Sequence, residues 1–138
     1  MKTNLELDET VLDDAARAIG DGPVVMVNLL RFRAQAHYPA DFVDPKPDAR
    51  SGYYEGYVGG FRQACAALGI TPELLYAGAR SATLLGEQDD DWDEIAVVRY
   101  ARFDDLRRIL TSETYNRCAK PHRLAVLRDW RFIATRTR

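Results

Sequence analysis

The nine residues VVMVNLLRF, 24 to 32, constrain this chain more than any other stretch. They are apolar and β-branched, too short for a confident helix, and follow a Gly-Pro pair, so they predict a buried strand. Both alternations are apolar: Val25, Val27 and Leu29 on one, Val24, Met26 and Leu30 on the other. A strand buried on both faces needs cover on both. One face can take helices from its own chain, and a homodimer most simply supplies a second sheet for the other.

The remaining elements fit around that strand. Residues 8 to 19 place Val11, Leu12, Ala15, Ala16 and Ile19 at helical spacing, with Gly20 and Gly22 as a stop. From Tyr53 to Leu68 the residues Tyr54, Tyr57, Val58, Phe61, Ala64, Cys65 and Leu68 share one helical face despite Gly56, Gly59 and Gly60, and Gly69 ends the run. Residues 74 to 86 and 93 to 101 read as a hairpin closed by the acidic turn GEQDDDW. Phe103, Leu106, Ile109 and Leu110 make a helix with Asp104 and Asp105 in its first turn and Arg107 and Arg108 in the next. Residues 129 to 135 form a last strand. Residues 33 to 52 carry Pro39, Pro45, Pro47 and Gly52 without period, and a structureless loop of about twenty residues is a lid or a mobile segment.

The order predicts an α+β fold, a ferredoxin-like βαββαβ domain over residues 1–138, with 1–21 as an N-terminal helical extension. At 138 residues, 46% hydrophobic and 29% charged, the composition is that of one ordinary globular domain. A formal charge of -2 gives no electrostatic case for nucleic acid or an anionic membrane, and the longest apolar run is too short to span a bilayer. Nothing marks export, so a cytoplasmic location is expected. Cys65 and Cys118 match no zinc or CxxC spacing and read as structural thiols.

His122, in AKPHRLAVLRDW, is one of two histidines. Helical spacing groups it with Tyr115, Cys118, Ala119, Ala125 and Val126 on an apolar face, and turns Arg123 toward Asn116 and Lys120. Pro121 bends or restarts the helix just before the ring. A core histidine satisfied by one hydrogen bond and a general acid or base at a pocket mouth, with Arg123 holding an oxygen, are the two readings. Asn28, an amide within an apolar strand, needs partners, either a structural bond or a ligand. Tyr57 is read as a pocket liner or as core, Trp92 as a packing anchor or a substrate contact, and Arg99 as an ion pair or an anion site. The run QDDDWDE lacks EF-hand spacing, His37 and His122 have no companions at ligand spacing, and there is no phosphate-cradling loop. No metal and no cofactor are expected.

The segments VVMVNLLRF, ARSGYYEGY, LLYAGARSATLLGE, DWDEIAVVRYA, SETY and HRLAVLRD, in that order, resemble the family called domain of unknown function 1330, over about Gly22 to Ala134. That family lies in the dimeric α/β-barrel superfamily. The resemblance implies two ferredoxin-like subunits joined through their sheets, among relatives that include cofactor-independent monooxygenases, muconolactone-type isomerases, dehydratases and haem-handling proteins. The expectation is a small cofactor-independent enzyme acting on a small organic acid or enolisable carbonyl. His122 would shuttle the proton, Asn28 and Arg123 would stabilise oxygen, and Tyr57, Trp92 and Arg99 would touch substrate. A non-catalytic ligand-binding or structural dimer is the alternative, and haem binding through His122 a further one.

Overall fold

A computed structural model describes residues 6–138; the first five residues of the N-terminal extension lie outside it. Helix α1 (Glu9–Ile19) starts where the Asp8 carboxylate accepts the Val11 N–H at 2.9 Å and stops at Gly20, whose φ of 71° is easy only for glycine. Strand β1 (Val24–Phe32) follows at the expected bounds. Helix α2 has three parts: an α-turn Ala49–Ser51, a π-helical stretch Gly52–Tyr57 and an α-helix Val58–Leu68 closed by Gly69. Strands β2 (Glu73–Ala79) and β3 (Glu94–Tyr100) precede helix α3 (Phe103–Leu110). Helix α4 joins a π-helical Tyr115–Ala119 to an α-helical Lys120–Val126 and runs into β4 (Leu127–Thr135).

The four strands form one antiparallel sheet in the order β2-β3-β1-β4. β1 runs against β3 from Val24↔Tyr100 to Leu30↔Glu94, and β2 runs against the other edge of β3, with a bulge between Leu74 and Tyr76. With β3 inserted between them, β1 and β2 are parallel, which is the split βαβ of a ferredoxin-like fold. This is the predicted fold class.

Two compact units can be drawn in the chain. The sheet unit holds residues up to Arg31, Pro72–Asp104 and Asp129–Arg138, and its buried apolar residues are led by Val24, Met26, Leu30, Tyr100 and Trp130. The helical unit holds Phe32–Thr71 and Asp105–Arg128, where Ala64, Leu106, Ile109, Tyr115, Ala119 and Val126 are almost wholly excluded from water. Each large apolar side chain buried this way contributes about 1.5–3 kcal/mol.

The second strand is shorter than its apolar run. The Arg80 N–H still bonds the Asp93 carbonyl at 3.0 Å, but beyond it the Thr83 hydroxyl donates to the Asp90 carbonyl and the Glu87 N–H to the Asp90 carboxylate. Residues 80–86 therefore belong to the turn, and Leu84 and Leu85 are fully exposed rather than paired. The last strand begins two residues earlier than expected, at Leu127.

Candidate functional site

Three glycines spaced by four explain how the helical unit closes on itself. A methyl group at Gly52 would overlap Val126 and the Tyr38 hydroxyl, at Gly56 the His122 imidazole, and at Gly60 the Cys118 carbonyl. The stripe Gly52, Gly56, Gly60 is thus the bed on which α4 lies, and it compensates the helix-weakening cost of each glycine. The spacing was present in the sequence as a signal of close helix approach.

The π-helical stretches alter which residues face this bed. In each, a backbone N–H reaches five residues back, Val58 to the Tyr53 carbonyl and Lys120 to the Tyr115 carbonyl. A π-turn takes more residues than an α-turn, so side chains beyond it are rephased against a regular wheel. Tyr54, expected inward, is 44% exposed, and Tyr53 is buried in its place. Arg123, expected on the outer flank, is 2% exposed. Pro121 lies in the first turn of the α-helical part, directly after the π-helical stretch.

His122 is 8% exposed, and its surroundings come largely from the long loop. The loop is tied to α4 by backbone bonds from Arg33 to the Val126 carbonyl and from His37 to the Ala125 carbonyl, both 2.8 Å. This brings the Tyr38 hydroxyl to 2.6 Å from His122 Nδ1 and sets the Tyr38 and Phe42 rings edge-on to the imidazole, at centroid distances of 5.4 and 5.2 Å. Further along, the Lys46 ammonium holds the Asp44 carboxylate at 2.9 Å. Burial first, then the Lys46 charge, lowers the His122 pKa below its usual value, with Asp44 opposing. The ring is therefore neutral at physiological pH. Burial likewise raises the Tyr38 phenol and keeps it protonated. Neither Tyr38 nor Phe42 was singled out from sequence, because their segment has no period to place them.

Tyr57 bonds the Tyr115 hydroxyl at 3.1 Å and stacks on Tyr53 at 5.4 Å. Burial lifts its phenol well above the ordinary value, assisted by Tyr115 and Tyr53, while the Arg123 charge pulls the other way. Cys65 is a sheltered thiol, pushed up to about 11 by burial.

The other three sequence candidates lie in the sheet unit. The Asn28 amide nitrogen donates to the Ala96 carbonyl at 3.2 Å, and its oxygen accepts the Trp130 indole N–H at 3.0 Å. Trp92 lies under two guanidiniums, Arg31 at 4.3 Å and Arg131 at 5.1 Å from its ring centre. Arg31 also pairs with Asp91 at 3.0 Å and with Asp129 at 3.4 Å, and donates to the Asp89 carbonyl, so the acidic turn is anchored as well as solvated. Arg99 forms a loose pair with Glu73 at 3.8 Å. Among the described residues no cluster of three metal-ligating side chains occurs, and no helix is long and apolar enough to cross a membrane.

No family model matches the chain, and no curated protein does. Solved structures do. A protein of unknown function from Rhodopseudomonas palustris is 24% identical, covering 99% of this chain and 98% of its own, with a TM-score of 0.80. Its methylated form gives 23% identity, coverage of 99% and 96%, and a TM-score of 0.81. This likeness establishes a shared fold along the whole chain. More distant are a dimeric protein of unknown function with a ferredoxin-like fold from Bacteroides fragilis and SnoaB, a cofactor-independent oxygenase from Streptomyces nogalater. The first is 12% identical, covers 85% of this chain and 98% of its own, and has a TM-score of 0.45. The second is 18% identical, covers 85% and 96%, and has a TM-score of 0.43.

Proposed function

We propose that this chain is a small enzyme of the dimeric α/β-barrel type, related to the domain of unknown function 1330 family. In this reading it acts on a small organic acid or enolisable carbonyl without a bound cofactor. The observation that carries the reading is His122: a neutral imidazole held through Nδ1 by a loop tyrosine, whose Nε2 has no hydrogen-bond partner among the described residues. A neutral ring fixed at one nitrogen is suited to handling a proton at the other. Arg123, buried on the same helix, contributes fixed positive charge favourable to a developing enolate. Tyr57 remains a candidate liner. The Asn28 amide bonds within the sheet at both ends, which favours a role in holding Trp130 over oxygen stabilisation. A second copy of the chain is proposed to cover the sheet, because Leu74, Leu75 and Tyr76 on β2 are 64%, 47% and 57% exposed.

Deuterium exchange tests the activity. Wild-type protein in heavy water is expected to exchange the acidic C–H of at least one member of a panel of small enolisable carboxylic acids. In His122→Gln the rate should fall by about 10²-fold or more, the usual contribution of a positioned acid or base. Equal rates in both proteins contradict the assignment. The close aromatic packing of Tyr38 and Phe42 on the ring favours the second reading, a non-catalytic ligand-binding or structural dimer, in which neither protein exchanges.

A further inference from the structure

The two edges of the His122 imidazole differ. Its Nδ1 edge faces Tyr38 and Gly56: the phenol oxygen is 2.6 Å from Nδ1, and the Gly56 α-carbon lies so close to Nδ1, Cγ and Cε1 that no side chain fits between. The phenol keeps one proton of its own, and Nδ1 is the acceptor within reach of it. Were Nδ1 protonated instead, the phenol's own proton would have no acceptor among the described residues, an arrangement disfavoured for a part-buried group.

We infer that Tyr38 is a positioning residue that locks His122 in the tautomer protonated at Nε2, so that the ring presents an N–H donor to a ligand oxygen, carboxylate or carbonyl. This rests on the proposed role of His122 and gives it a direction: the neutral ring acts as the acid that polarises the carbonyl oxygen through Nε2–H, and the C–H proton leaves to solvent water. An ammonium or amide N–H offers nothing for Nε2–H to bond. Tyr38 thereby sets ligand class without itself being the proton-handling group.

Nitrogen-15 NMR of the ligand-free protein at neutral to mildly alkaline pH reads the tautomer directly. His37→Gln removes the other histidine signal and leaves the backbone bond of that residue in place. The expected spectrum has His122 Nδ1 as the unprotonated, pyridine-type nitrogen and Nε2 as the protonated, pyrrole-type one. In Tyr38→Phe the lock is lost and the two nitrogens shift toward averaged values. A wild-type spectrum with protonated Nδ1, or a folded Tyr38→Phe protein with an unchanged spectrum, overturns the inference. Either result leaves the deuterium-exchange test standing, since a catalytic His122 can occupy the opposite tautomer.

Discussion

The polar clusters of the two units resolve the same problem in opposite ways. In the sheet unit, Asn28 spends its amide on Ala96 and Trp130, and Arg31 spends its charge on Asp91, Asp129 and the Trp92 ring. Both side chains end on other groups of the chain, with the Arg31 Nε left over, as buried polarity must largely do if it is to stabilise. In the helical unit, Tyr38 and Gly56 fix one side of His122, and the Nε2 of the ring bonds nothing among the described residues. A closed network holds a fold, whereas an open valence on an otherwise immobilised ring is what a site needs. The same residue types, a polar side chain amid apolar neighbours, carry both.

The largest expected effect falls on the closed network. Asp129 accepts from Arg31, Arg131 and the Trp130 backbone. Asp129→Asn should lower stability by roughly 2–3 kcal/mol, because Arg31 loses the buried one of its two carboxylate partners and keeps only the exposed Asp91. Urea unfolding measures this, while the His122 ring signals should stay where they are. A loss below about 1 kcal/mol would mean that the cluster is solvated and the contrast weaker than drawn.

Gly56→Ala comes next and acts on the open site. Its methyl group occupies the space of the imidazole, and overpacking of this kind costs typically about 1–3 kcal/mol. The sharper expectation is spectroscopic: the His122 and Tyr38 ring signals move, and the Trp130 indole signal does not. An unperturbed His122 would show that the ring is not seated on Gly56.

The fold was legible because its determinants are local and periodic. VVMVNLLRF announced a central strand, and Asp8, Gly20 and Gly69 mark helix ends with side chains or backbone angles that can be read off one residue. The candidate site was legible only at its fixed half. His122 stood out as a ring on an apolar face, and it is buried in the structure. Its partner Tyr38 sits in a stretch with no period, brought in by backbone bonds to Ala125 and Val126 that no side-chain pattern encodes. Arg123 and Tyr54 were put on the wrong faces because a wheel of uniform pitch has no place for a π-turn. The spacing of Gly52, Gly56 and Gly60 was the available clue, one that marks a close approach rather than a weakness in the helix.

The smallest energetic effect decides the central claim, that the His122 ring is open to proton and ligand rather than sealed in the core. Its folded pKa lies below the ordinary value of 6.5, so the unfolded chain binds more protons below that pH. Its contribution to stability is therefore present above about pH 6.5 and is lost as pH falls toward the folded pKa. Following the His122 ring by NMR from neutral to acid pH measures this directly, in His37→Gln so that one histidine signal remains. The account predicts that His122 titrates reversibly below the ordinary 6.5 while the rest of the spectrum remains native. A ring that stays silent until the whole chain unfolds would contradict it and assign His122 to the core.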